Sequence, residues 1–363
     1  MSLAALPVEL LEAIFEPLPP ATLVALACTS ADLYLTASRF LYRDLSISSY
    51  ARNLTAVATL ASQSHLALLV RSFTITIDDG EEHADDEYYS LLHQAVARMQ
   101  ELTSLEMHID ANSSWVLDAL PLQTKPYSRL QHFASSFPLD THTASFFLRT
   151  PSLQSLQLAP SSDYVTLASS AIPLLTTYTG PPSLLTQLLP SRPVSSLHLS
   201  GDLSLDDIEH LAVASGAPIP ALSGAGPEYG QTANGDTGVI AKIETLSTIT
   251  SASPVAVIEA LAKACPGLVC LRVITTCAFW ETPDVAFYTQ VASILSSLPS
   301  LSAFELSGMH WEFRPKSSPA ADKTCTEKEW VSPPVTPRPI DVDLLEAQDR
   351  DFDFDEAFME WAY

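Results

Sequence analysis

Histidine, carboxylate and guanidinium side chains recur in this chain beside the apolar residues of a short pattern, L-x-x-L-x-L. Glu106 lies within the pattern at Leu102–Met107 and His108 directly after it, and His132 sits within the looser copy Leu130–Ser135. Gln157 lies within Leu153–Leu158, His198 within Val194–Leu199, Arg272 within Leu268–Val273 and Glu305 within Leu301–Leu306. In an extended strand successive side chains point to opposite faces, so these polar groups would gather on the face opposite the apolar one. Such a face offers hydrogen bonds and ion pairs to a bound macromolecule. His108, His132 and His198 could share one stripe, where a metal is conceivable. Strands are about 4.8 Å apart, however, and His198 belongs several strands away, so isolated polar contacts are expected instead.

No catalytic constellation stands out. The nine histidines are scattered, and H-E-x-x-H, G-x-S-x-G and G-x-x-x-x-G-K-[ST] are all missing. The glycine-rich Gly224–Gly230 has its third glycine one place late, and Pro227 removes a useful N–H. Asp78–Glu87 packs seven carboxylates into ten residues without the alternating spacing that a calcium loop needs, so a solvated loop is expected. Cys28, Cys265, Cys270, Cys277 and Cys325 are an odd set in apolar contexts and lack tight metal-ligand spacing. Reduced, mostly buried thiols and a cytoplasmic or nuclear location are therefore expected. The reading is of a chain that is not an enzyme and carries no cofactor and no metal.

The totals narrow the partners. Eighteen Lys plus Arg stand against 42 Asp plus Glu, a net charge of −24, which would repel a polyanion, so no nucleic acid is expected. The 363 residues are many for one compact core, and 47% of them are apolar. No basic n-region precedes the apolar N-terminus, and no run reaches the roughly 18–20 apolar residues of a membrane span, so no membrane is expected either.

Three units are expected to position these groups. Residues 1–48 read as three short helices, near 7–17, 21–29 and 31–42, with Pro7 in the first turn and Leu10, Leu11, Ile14, Phe15 and Leu18 on one wide face. They run into an extended Leu45-Ser46-Ile47. Residues 49–313 hold the repeat, with further copies at Val70–Ile75, Leu175–Gly180 and Ile243–Thr248 and insertions near 78–90 and 214–238. Most copies come after a Leu-rich helical stretch and a breaker, and most anchors (Leu105, Phe133, Leu156, Tyr178, Leu197) recur every 19 to 28 residues. Residues 314–363 read as a Pro-rich linker and an acidic, disordered tail; Phe354, Phe358 and Trp361 could alternatively line a short amphipathic helix.

The opening Leu6-Pro7-x-Glu9-Leu10-Leu11-x-x-Ile14, the centre Leu23-x-x-Leu26-Ala27 and the close Phe40-Leu41-Tyr42-Arg43 resemble an F-box of the fungal type. The repeat region behind it resembles the leucine-rich-repeat part of F-box receptors, though the copies lack the usual Asn or Cys after the strand. The resemblance implies an α+β fold: a three-helix F-box, then an irregular α/β leucine-rich-repeat solenoid with parallel strands. It further implies the substrate-recognition adaptor of an SCF-type E3 ubiquitin ligase, bound to a Skp-type adaptor and cullin complex. Leu6, Pro7, Leu10, Ile14, Leu18, Leu23 and Leu26 would divide between the adaptor interface and the head's own core. Glu106, His108, His132, Gln157, His198, Arg272 and Glu305 would face a client protein. A repeat scaffold without a ligase role, its helices merely capping the solenoid, is the alternative.

Overall fold

The computed structural model describes residues 6–77, 86–120, 125–160, 165–214, 242–276, 285–315 and 328–331. Three helices come first: α1 (Val8–Phe15), α2 (Pro20–Ala27) and α3 (Ala31–Leu41). Pro20 opens α2 where its missing N–H has no intrahelical partner to lose, and the Ser30 hydroxyl caps α3 by accepting from the Leu33 N–H at 3.2 Å. Leu11, Phe15, Leu23, Leu33 and Ala37 form a small core of their own, with Leu6, Leu18, Leu26, Ala27, Phe40 and Leu41 packed against it.

One twelve-stranded sheet lies beyond the helices, its strands neighbouring one another in chain order. They are β1 (Asp44–Ser48), β2 (Ser72–Thr76), β3 (Ser104–His108), β4 (His132–Ser135), β5 (Ser155–Gln157), β6 (Thr177–Gly180), β7 (Ser196–Asp202), β8 (Thr245–Thr250), β9 (Cys270–Thr275), β10 (Ala303–Leu306), β11 (Met309–Pro315) and β12 (Lys328–Val331). The pairings from β1 to β10 are all parallel. Every copy of the L-x-x-L-x-L pattern supplies one strand from β2 to β10, and the extended 45–47 stretch becomes β1.

Helices return the chain between most of these strands: α4 (Ala56–Ser62), α5 (Ser64–Ala67), α6 (Asp86–Arg98), α7 (Thr141–Phe147), α8 (Leu185–Leu188), α9 (Leu205–Ala214), α10 (Pro254–Ala264) and α11 (Val285–Ser296), with 3₁₀ turns at Ala111–Leu117 and Pro182–Leu184. The first apolar residue of each copy is buried, as are the strand-centre residues Phe73, Leu105, Phe133, Leu156, Tyr178, Leu197, Leu246, Leu271 and Phe304. These join helix residues such as Leu92, Phe146, Ile258 and Leu295 in one continuous core. All-parallel sheets ordinarily have both faces covered. Among the described residues only one is, and the alternation of buried and part-exposed residues along β2, β3 and β7 reflects that.

A backbone device repeats with the strands. The Arg43 carbonyl accepts from the N–H groups of Arg71 and Ser72 at 2.8 and 3.0 Å, and the Arg71 carbonyl accepts from Thr103 and Ser104. The same fork continues at Thr103, Gln131, Gln154, Thr176, Ser195, Glu244 and Val269. Each entry into a strand is thus locked to the previous entry, which holds one register across copies of unequal length.

The sheet extends beyond its expected end. A Ser307-Gly308 hairpin, with φ of 47° and 78°, turns the chain back into β11, and β12 pairs antiparallel beside it. The boundary at residue 313 therefore falls inside a strand, and Lys328–Val331 is sheet where a linker was expected. The two antiparallel strands also correct the expectation of parallel strands throughout. Residues 86–90, expected within an insertion, begin α6; 78–85 and 215–241 lie outside the described residues. So do Cys277, Cys325, the glycine-rich 224–230 and the tail 341–363.

Candidate functional site

The helical head presents an apolar surface that its own core does not use. On α1, Leu11 and Phe15 point inward, whereas Leu10 and Ile14, one residue earlier on the same turns, are 52% and 41% exposed. Val8, Val24 and Leu35 are exposed nearby in the same head at 44%, 51% and 64%. Of the residues expected to divide between interface and core, Pro7, Leu10 and Ile14 lie outward. Leu23 is buried in the head core, and Leu6, Leu18 and Leu26 pack against it half-buried. Val8, Val24 and Leu35 were not singled out from sequence; they lie off the i, i+4 stripe that Leu10 and Ile14 share, and only the packing of the three helices reveals them as exposed.

The helix-free face of the sheet carries the polar groups. Strand register aligns Thr74, Glu106, Ala134, Gln157, Thr179, His198, Ser247, Arg272, Glu305 and His310 in one transverse row. Five of the expected residues, Glu106, Gln157, His198, Arg272 and Glu305, share it. His132 stands two positions earlier, level with Ser104, and His108 two positions beyond Glu106, level with Thr76. The three histidines thus occupy separate levels and form no stripe. Among the described residues no group of three or more His, Cys, Asp or Glu side chains is placed to hold a metal ion.

Two clusters emerge along the row. In the first, His132 Nε2 lies 3.7 Å from Glu106 Oε1, while the Thr74 hydroxyl donates to Glu106 Oε2 at 3.4 Å. Burial holds the His132 pKa below its ordinary value, against the opposing pull of Glu106. In the second, Arg272 Nε pairs with Glu305 Oε1 at 3.2 Å, and His310 Nδ1 lies 3.9 Å from Glu305 Oε2. The side chains of Arg272 and Glu305 are only 28% and 11% exposed. Burial lowers the His198 pKa and the neighbouring Arg272 charge lowers it further, so this imidazole is neutral near pH 7. A recess of about 270 Å³ opens over this second cluster, lined by His198, Ser247, Cys270, Arg272, Glu305 and His310 among others.

Ser247 and His310 are additions to the expected set. Ser247 comes directly after the anchor Leu246 in the looser copy Ile243–Thr248, where a polar partner could have been read. His310 depends on the hairpin, whose signal is the Ser307-Gly308 dipeptide between alternating residues. A larger cleft, about 550 Å³, lies where the head meets the sheet and is lined by Arg39, Arg43, Leu69, Arg71 and Thr103. Its arginines answer nearby carboxylates: Arg39 pairs with Glu12 at 2.8 Å and Arg71 with Glu101 at 3.0 Å.

An apolar three-helix head of this composition has a match among known families. Residues 3–48 form an F-box-like domain. No curated protein matches the chain. The exposed Leu10 and Ile14 lie within the matched segment, and the in-order parallel sheet behind it is compatible with a solenoid-like repeat.

Proposed function

We propose that this chain is the substrate-recognition subunit of an SCF-type ubiquitin ligase. The F-box-like head would dock on a Skp-type adaptor, and leucine-rich-type repeats would hold a client protein on their polar face. The F-box-like domain at residues 3–48 carries the reading, because F-box domains in general bind Skp-type adaptors. The outward Leu10 and Ile14 support it: exposed leucines and isoleucines each gain roughly 1.5–3 kcal/mol on full burial, so a handful suffices to anchor a partner. In this role the chain supplies proximity and no bond-making chemistry. A scaffold whose head only caps the sheet would have no use for that apolar face.

The test is capture of the full chain by an immobilised Skp-type adaptor, wild type against the double variant Leu10→Ala, Ile14→Ala. Capture is expected to fall at least about tenfold, the effect of losing roughly 1.4 kcal/mol or more of interface burial. The melting temperature should stay unchanged, since neither side chain belongs to the head core. Undiminished capture would remove the ligase role and leave the scaffold. Leu23→Ala is the contrasting variant, expected to unfold the head through a buried cavity.

A further inference from the structure

The recess over His198, Ser247, Arg272, Glu305 and His310 is built more tightly than the rest of the polar face. Ser247 is 6% exposed, and its hydroxyl is buried with no hydrogen-bond partner among the described residues. Leaving a buried hydroxyl unpaired is unfavourable, and each such group in a native structure calls for an explanation. Strand register sets Ser247 between His198 on β7 and Arg272 on β9, and it lines the recess. Beside it stands the largely buried Arg272–Glu305 pair.

That pair restricts what can enter. A carboxylate would compete with Glu305 for the guanidinium and leave a buried anion without its cation. An ammonium or guanidinium would compete with Arg272 and strand the opposite charge. Breaking one side of a buried ion pair is strongly unfavourable. His198 is neutral near pH 7 and adds no charge. A neutral group with an acceptor and a donor side by side meets Ser247, Arg272 and Glu305 without disturbing the pair. Its oxygen can accept from the Ser247 hydroxyl and the Arg272 guanidinium, while its N–H donates to Glu305.

We propose that this recess is a receptor for the side-chain carboxamide of an asparagine or glutamine on the client. The proposal rests on the client-binding reading of the polar face and deepens it to one residue class. The recess volume of about 270 Å³ admits one side chain with room for water.

The experiment selects a phage-displayed library of random dodecapeptides on the immobilised full chain, with no adaptor present. Enriched peptides are expected to share an Asn or Gln at a fixed position. Changing that residue to Glu or Lys should weaken binding at least tenfold, and Ser247→Ala should weaken it about three- to tenfold, as the loss of one hydrogen bond does. Ser247→Ala removes a hydroxyl that bonds nothing within the described structure, so its melting temperature should not fall. An enriched acidic or basic residue in place of the amide would overturn the proposal. So would tolerance of Gln→Glu in the peptide, indifference to Ser247→Ala, or a library that yields no enrichment. Because no adaptor is used, this outcome and that of the adaptor capture are independent.

Discussion

Arg192 shows how much a single residue can hold without any sign of it in the sequence. Its side chain is 1% exposed, between two prolines that read only as a breaker. Nε donates to the Ala171 carbonyl at 3.0 Å, Nη2 to Ala168 at 2.9 Å, and Nη1 to Gln187 at 2.7 Å and Leu188 at 3.2 Å. One guanidinium thereby answers the carbonyls at the end of α8 and in the segment before β6. Arg192→Met should lower stability by about 3 kcal/mol or more in urea unfolding of the full chain, because several buried carbonyls lose a charged donor together. Arg192→Lys should rescue little, since an ammonium cannot reproduce the planar fork. The histidines of the polar face make a second residue-scale prediction. His132 and His198 titrate below the ordinary 6.5, mainly through burial. The unfolded chain therefore takes up their protons first as pH falls. Their contribution is whole above 6.5 and is lost as pH drops from there through the folded values. Melting temperatures measured from about pH 7 down to about pH 5 should show a steeper decline in the wild type than in the double variant His132→Gln, His198→Gln. Equal slopes would mean that the two imidazoles are solvated. Most of the polar groups on the face were legible from strand alternation, Ser247 and His310 excepted. Their pairing was not, because it depends on register, and register here is fixed by backbone forks that no side-chain pattern records.

At the scale of elements, the strands were legible and the ends of the sheet were not. Every L-x-x-L-x-L copy became a strand because its apolar residues must meet the helices, and even the loose Leu175–Gly180 obeys. That copy has a tyrosine where others have leucine, and the glycine two places later explains how it fits. The Tyr178 hydroxyl donates to the Pro181 carbonyl at 3.0 Å, which carries the ring back over Gly180. A Cβ at position 180 would lie 2.5 Å from that hydroxyl and 3.0 Å from the Leu158 carbonyl. Gly180→Ala should therefore be destabilising by about 2 kcal/mol, the usual effect of overpacking. Tyr178→Phe should cost about 1 kcal/mol, one buried hydrogen bond. The double variant should fall short of the sum by roughly 1 kcal/mol, since removing the hydroxyl relieves the closest clash. Additivity in denaturant melts would show that the contacts that survive in Tyr178→Phe, the ring Cζ at 2.9 Å and the Leu158 carbonyl at 3.0 Å, set the limit and not the hydroxyl. By contrast β11 and β12 escaped notice because they replace the leucine pattern with an antiparallel pair carrying Trp311 and Trp330, both buried at 4%. They end the leucine ladder with indole rings, Trp311 packing 5.8 Å from Phe304 and 5.9 Å from Tyr288.

Charge is the property of the whole molecule that no single contact explains. A net −24 over 363 residues means that carboxylates outnumber basic side chains more than two to one, 42 against 18. The ion pairs that oppose this are mostly exposed: Arg39–Glu12 at 55% and 41%, Lys263–Glu259 at 67% and 50%. Such pairs contribute about 0–1 kcal/mol each and are themselves screened by salt. The long-range repulsion is the larger sum, and it acts against the compact state. Raising ionic strength from about 0.1 M to about 1 M shortens the screening length from about 10 Å to about 3 Å, which removes repulsion between separated carboxylates before it removes contact pairs. The melting temperature in sodium chloride should therefore rise across this range, by about 1–2 °C for each kcal/mol of relieved repulsion in a chain of this length. The Arg272–Glu305 pair, being largely buried, should be screened least, so peptide capture at the recess should hold across the same titration while the fold becomes more stable. A falling melting temperature would reverse the ranking and make the exposed pairs, chiefly Arg39–Glu12 within the head and Arg71 and Arg129 with Glu101 within the sheet region, the dominant electrostatic support of the fold.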